Sequence, residues 1–555
     1  MYQTVFDKEP GEPLDPALLR DGTIDFPAGW QTTNSDRFAF LRAALAHRWA
    51  APALLLAFAV AARCIWYGDP VIEVDEQYYL VIGDRLLHGA IPYVDVWDRK
   101  PVGLFLIYAG IRLLGGAGIY QYQIVATLFA WGTALIVRQL ARKVASDRAA
   151  WIAGAIYLLW LDFFTGQGGQ SPVFYNLLIA GAALVTLKAV SGDTSPARCF
   201  RLGAVAMILC GLALQIKYTV VFEGIFFGLT LLWAQWRATK SFAAIAAQGL
   251  AWAAIALVPT AAMLLAYVAL GQAQAFVYVN FVSVFVRGNA PGTELLGRLG
   301  IISLSLAPLL AALWCARRIG RERDAQAYQF LLAWFGAAVA GLLIFGTYYD
   351  HYALPLLVSL CAAIAPAFDL TRGTRQTGLR LAGALAAIGV VATPVSYRII
   401  THRKGNAAYA GQVAAIIDQA RHGGSLYIYD GEPILYLLTR APAATKFLFP
   451  YHLSQSLEGP SIGVDPATEF RRMLATHPAV IVDGTLQPQW RTPERLEEQR
   501  ELFNPATRAL LDQALARDYR LVAQIPRKKY FRRIWQLRSL SGSPDHAIVE
   551  GRFVL

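Results

Sequence analysis

Charge is what this chain has least of. Only 16% of its 555 residues are Asp, Glu, Lys or Arg, and 56% are hydrophobic; soluble domains carry about 25% charged residues. An ordinary soluble protein is thereby excluded. Cysteine is scarce as well. Cys64, Cys199, Cys210, Cys315 and Cys361 all lie in or beside apolar segments, and none falls in the long polar C-terminal region. That argues against a disulfide framework and against a CxxC metal site. No GxGxxG, P-loop, HExxH or GxSxG sits in a matching strand-to-helix context, so the common nucleotide, zinc-protease and serine-hydrolase readings fall away. A cleavable signal peptide is not expected either. Met1 to Arg48 is mostly polar with Pro and acidic residues, and the first apolar block should act as an uncleaved anchor. The formal net charge of +12 does not require nucleic acid as a partner. Much of the Lys and Arg lies in short loops between apolar blocks, where it sets topology.

What the chain has in abundance is apolar blocks of about 18 to 25 residues, the length that crosses roughly 30 Å of hydrocarbon. They predict an α-helical polytopic membrane protein with about eleven spans. The first three are Trp49 to Trp66, Tyr120 to Val137 and Trp151 to Phe164. Val173 to Val190, Leu202 to Ile216, Val220 to Trp236 and Phe242 to Leu270 follow. The last four are Leu299 to Cys315, Phe330 to Gly346, Tyr352 to Leu370 and Leu381 to Ser396. Val102 to Leu114 is too short for a span and reads as a helix in, or re-entering, the outer interface. With that choice Arg37, Arg42 and Arg48 face the cytoplasm, as do Arg138, Arg142, Lys143 and Arg148. So do Arg198 and Arg201, Arg237 and Lys240, Arg317, Arg318, Arg321 and Arg323, and Arg372, Arg375 and Arg380. Had Val102 to Leu114 crossed, the later clusters would all face outward, against the positive-inside bias. The expected organisation is a cytoplasmic tail (1–48), a transmembrane region (49–400) and a periplasmic α/β domain (401–555). In the last, helices at Ala407 to Arg421, Thr468 to Thr476 and Leu502 to Ala516 alternate with strands. The strands are Ser425 to Tyr429, Ala479 to Val482, Tyr519 to Gln524 and Phe531 to Leu537.

The chemistry is concentrated in the first outer loop, residues 67–116, above all in YGDPVIEVDEQYYLVIGDRLLHGAIPYVDVWDRKPV. Glu76 to Gly89 reads as a helix with Gly89 as its stop. Asp75 then stands where an N-cap belongs. A carboxylate there suits three roles: helix capping, holding a divalent cation, or taking a proton from an acceptor hydroxyl. Arg99 and Lys100, made rigid by Pro101 at a helix start, suit a phosphate group; their plainer role is to reach lipid headgroups. Asp350, His351 and Tyr352 join two later spans on the same face. Arg287 and Arg298 add cations in the loop between residues 271 and 298. Lys217 and Glu223 are intramembrane charges, functional candidates by default. The basic run Arg527 to Arg533 suits either anionic lipid or polysaccharide, or a solvated strand edge.

DEQYYLVIGDRLLHGAIPYVDVWDRKPVGLF resembles the first outer loop of GT-C fold, polyprenyl-phosphate-sugar-dependent glycosyltransferases. That group includes the protein O-mannosyltransferases, the lipid A aminoarabinose transferase and the Rgt-like bacterial enzymes. Their pattern is an acidic pair, a G-x-x-P-Y turn, then D-x-K-P-P. Gly89 to Tyr93 matches the turn and Asp98 to Pro101 the third part, with Val102 in place of the second proline. YYDHYALPLL and the stretch from Tyr429 to Pro450 resemble later segments of the group. Some relatives carry an acidic element after the third span, where this chain reads GQGGQSP.

The resemblance implies a GT-C-like helical fold and an inverting transfer of a hexosyl or pentosyl group. The donor is a polyprenyl-phosphate sugar, and the acceptor a glycolipid or surface polysaccharide at the outer face of a bacterial inner membrane. It implies Asp75 as base, Glu76 in support, and Arg99, Lys100 and Arg287 toward the donor phosphate. Tyr78, Asp98, Asp350, His351 and Tyr352 are expected in the substrate pocket. The motif requires no divalent cation and does not exclude one. A flippase of lipid-linked saccharide and an inactive, ligand-binding homologue are the competing readings.

Overall fold

Hydrocarbon offers the backbone no hydrogen-bond partner, so an apolar run that crosses it must close its own bonds as a helix. The structure, a computed structural model, describes residues 49–192, 195–288, 290–371, 376–540 and 549–550. Residues 1–48, with Arg37, Arg42 and Arg48, lie outside the described residues, as do Arg372 and Arg375. Among the described residues nine helical segments are long and apolar enough to cross a membrane. They are Ile119–Val144, Ser171–Val190, Pro196–Leu214, Tyr218–Thr239, Phe242–Ala269, Gly292–Arg323, Ala325–Phe345, Asp350–Asp369 and Thr377–Arg421. The other two expected spans are shorter helices, Ala50–Arg63 and Asp147–Trp160, each continued by a 3₁₀ turn. The chain is a multi-pass membrane protein.

Local chemistry sets many of the helix starts. Ser146, Ser195, Ser241 and Asp324 each accept the backbone N–H three residues on, satisfying one of the donors a helix leaves open at its first turn. Val102–Arg112 has 11 residues, roughly 16 Å at helical rise, too little to cross. It lies instead along the Val74–Leu87 helix. Gly83 meets the backbone of Tyr108 and Ala109 so closely that no side chain would fit there.

The C-terminal part carries a five-stranded sheet of order β1-β2-β4-β3-β5. Its strands are β1 (Leu426–Ile428), β2 (Val480–Leu486), β3 (Tyr519–Pro526), β4 (Tyr530–Leu537) and β5 (Val549–Glu550). β1 runs parallel to β2, and β4 lies antiparallel between β2 and β3. The helices Ala407–Arg421, Pro466–Leu474 and Pro505–Asp518 fall within a few residues of their predicted places. The basic run 527–533 is not a strand edge, since β4 lies inside the sheet, and its three arginines turn to internal carboxylates. Arg527 and Arg532 reach the buried carboxylate of Glu432 at 2.8 and 3.1 Å, and Arg533 pairs with Asp483 across the β2–β4 register. This part is stitched to the first loop: Trp97 N–H donates to Lys446 O at 3.0 Å, and Ile434 N–H to Gln77 Oε1 at 3.4 Å.

Candidate active site

Adjacent residues on a helix point about 100° apart, so two neighbouring carboxylates cannot share one face. The Val74–Leu87 helix divides Asp75 from Glu76 in this way. Its N-cap position is Glu73, in extended conformation with no side-chain cap, which corrects the reading of Asp75 as the cap. Glu73 is engaged elsewhere, accepting from Lys404 Nζ at 2.9 Å. Asp75, in the first turn, makes no side-chain hydrogen bond or ion pair among the described residues. Its electrostatic neighbours are Lys100, His351, Lys217 and Arg99. Burial raises its carboxyl, but the positive charge around it, that of Lys100 above all, prevails and holds it below the usual carboxylate range. Asp75 is therefore an ionised carboxylate free to accept a proton.

Glu76 turns to a different side of the helix and is fully buried. It faces Gly168, whose backbone approaches so closely that a Cβ there would strike the carboxylate. Burial pushes it up to about 8, which keeps it neutral at pH 7. The same glycine loop is held by Arg63, whose guanidinium donates to Gly166 O at 2.7 Å, Gly168 O at 2.9 Å and Thr127 Oγ1 at 3.1 Å. In this chain the GQGGQSP stretch gives Glu76 a backbone cradle and supplies no second acid.

Gly89, at φ +87°, ends the helix as expected. A tight turn follows, closed by Tyr93 N–H to Val96 O at 2.6 Å. Asp98 Oδ1 then accepts the backbone N–H groups of Arg99 and Lys100 and lies 3.8 Å from Lys100 Nζ. Its role is to fold the turn that aims both cations. Lys100 stays charged: burial disfavours its ammonium, but Asp98 and Asp75 outweigh that. Arg99 meets Glu458 Oε2 at 2.9 Å, and Arg287 meets Glu458 Oε1 at 2.6 Å and Tyr349 Oη at 3.1 Å. His351 shares the electrostatic environment of Asp75, Lys100, Lys217 and Arg287, and its ring packs at 4.6 Å on Tyr352. Tyr352 lies 3.7 Å beneath Lys217 Nζ.

Two predicted pocket residues go elsewhere. Tyr78 is fully buried, donates to Trp97 O at 2.6 Å and packs on Phe449 and His452. Asp350 faces Glu73, Arg298 and Lys404 rather than Asp75. Sequence reasoning missed Glu458, since nothing in SQSLEGP marks a carboxylate that will bridge two arginines from distant loops. It also missed Arg63, whose partners are backbone carbonyls about a hundred residues away. Among the described residues no three His, Cys, Asp or Glu side chains converge as metal ligands.

No family model and no curated protein sequence matches the chain. Solved structures do. ArnT from Cupriavidus metallidurans in the apo state superposes with a TM-score of 0.59 at 14% identity, covering 92% of this chain and 100% of that one. The same protein bound to undecaprenyl phosphate gives 0.58 at 15%, with 90% and 100% covered. The chain has the GT-C fold. The archaeal oligosaccharyltransferase AglB from Archaeoglobus fulgidus is a more distant match, with a TM-score of 0.48 at 12% identity over 78% of this chain and 69% of that one. A GT-C fold in which the ionised, unpartnered carboxylate of Asp75 stands among four cationic or imidazole groups can deprotonate a hydroxyl beside an anion.

Proposed function

We propose that this protein is an integral-membrane inverting glycosyltransferase. It moves a hexosyl or pentosyl group from a polyprenyl-phosphate donor to a glycolipid or surface polysaccharide. The observation that carries the reading is Asp75, ionised and unpartnered beside Lys100. In the reaction the acceptor hydroxyl gives its proton to Asp75 and its oxygen bonds to the sugar's anomeric carbon. The bond from that carbon to the phosphate oxygen breaks, and its electron pair leaves with the polyprenyl phosphate. Phosphate is a good leaving group, so cations rather than a general acid serve that side. Lys100 receives it, with Arg99 and Arg287 close by; Asp98, His351 and Tyr352 shape the site. Glu76 supports the helix from its cradle.

The fold shared with a protein captured with undecaprenyl phosphate supports the donor class. The placement of basic clusters supports the sidedness: a cytoplasmic tail at residues 1–48, and the site and the 401–555 domain on the periplasmic face of a bacterial inner membrane. The test is comparison of envelope glycolipids and polysaccharides by mass spectrometry with and without the gene. Loss of one sugar mass is expected. An unchanged glycan profile, together with translocation of the intact lipid-linked sugar without acceptor, would instead establish a flippase.

A further inference from the structure

One cation near Asp75 has no counter-ion in the network so far described. Lys217 lies between the Pro196–Leu214 helix and the 3₁₀ turn Tyr218–Val220, with extended backbone at φ −160°. The segment is fixed to the first loop on both sides of it. Leu104 N–H donates to Gln215 O at 3.1 Å, Gly103 packs on Gln215 with no room for a side chain, and the Tyr218 hydroxyl donates to Arg99 O. Lys217 is 3% exposed, and among the described residues its ammonium has neither a hydrogen-bond nor an ion-pair partner. The charged and titratable groups facing it are Lys100, Asp75, Arg99, Arg287 and His351, with the Tyr352 ring at 3.7 Å.

An ammonium buried without an anion is costly, and a ring face offsets only part of that cost. Asp75 is the carboxylate that acts on it most strongly, and Lys100 shares it; Glu223 lines a cavity with Tyr352 and is engaged by the Trp334 indole at 2.7 Å. Arg99 and Arg287 are already bridged by Glu458. The site is short of one anion, and the shortage falls on Lys217.

We infer that Lys217 is a second ammonium ligand of the donor's phosphate, beside Lys100, and a catalytic residue that stabilises the departing polyprenyl phosphate. This rests on the glycosyltransferase reading above. When the anomeric C–O bond breaks, the electron pair stays on the phosphate oxygen, and the two ammonium groups take up the charge; the acceptor's proton goes to Asp75. Without the phosphate, burial and Lys100 push Lys217 well below the usual lysine range. Donor binding should therefore bring a proton with it.

The test uses the purified full chain in detergent, with undecaprenyl phosphate and undecaprenol as probes. Wild type is expected to bind the phosphate form more tightly than the alcohol. Lys217→Met should weaken the phosphate form about 10- to 100-fold, the range for a lost charge-assisted hydrogen bond, and leave the alcohol unchanged. Lys217→Arg, charged at every pH, should keep phosphate binding but lose the proton uptake that calorimetry in two buffers detects for wild type at pH 8. Phosphate binding by Lys217→Met within twofold of wild type overturns the assignment and leaves the wider reading standing. So does equal proton uptake by wild type and Lys217→Arg, a comparison that holds even where the Met variant does not fold. A wild type that does not distinguish phosphate from alcohol overturns both.

Discussion

The C-terminal sheet and the surroundings of Asp75 both bury charge, yet they balance it differently. In the sheet, Asp483 is fully buried and meets Arg533, Arg508 at 3.5 Å and the Trp535 indole at 2.9 Å. Glu432 meets Arg527 and Arg532, whose charges hold its carboxyl below the usual range despite burial. Both of these buried carboxylates have their cations. Around Asp75 the reverse holds: Lys100, Lys217 and His351 gather near a single free carboxylate. A closed network holds a shape, whereas an open one waits for a ligand. Glu458 stands between the two regions. It belongs to the C-terminal part and bridges Arg99 and Arg287 of the other.

The comparison can be broken most sharply at Asp483. Asp483→Ala should destabilise the protein by about 3–5 kcal/mol, the usual cost of orphaning a buried charge, with transfer per folded molecule unchanged. Thermal unfolding alongside an activity assay checks this. Lys100→Met should do the opposite, raising the donor KM about 10- to 100-fold with little change in melting temperature. Glu458→Gln removes an anion from beside the phosphate site. Undecaprenyl phosphate should then bind roughly three- to tenfold more tightly, as measured by titration at fixed salt.

The smallest effect concerns Glu76. Burial pushes it up to about 8, above the ordinary carboxyl value of 4.5, so between those values the folded state holds more protons than the unfolded one. Stability must fall as pH rises through that window. Glu76→Gln should remove this part of the slope of melting temperature against pH.

Much of this was legible before any coordinates. Apolar block length marked the helices, because hydrocarbon leaves a crossing backbone no other choice. Gly89 announced its turn through the need for positive φ. The failures have two causes, one local and one tertiary. Whether Asp75 caps or stands free depends on a two-residue shift of the helix start, within the ordinary uncertainty of helix ends. Tyr78 lies on the same helix as Asp75 but faces Trp97, Phe449 and His452, and Phe449 and His452 are more than 370 positions away in the chain. The closing of the basic run 527–533 on Glu432 and Asp483 is likewise tertiary. Local pattern carries helices and turns; it does not carry which charge meets which.

Single-turnover transfer by Asp75→Asn, at saturating polyprenyl-phosphate sugar, bears most directly on the whole account. Loss of a general base predicts a fall of about 10²- to 10⁴-fold, with undecaprenyl phosphate still bound and the melting temperature unmoved. Transfer within tenfold of wild type by a folded, donor-binding Asp75→Asn protein would mean that the acceptor's proton goes elsewhere.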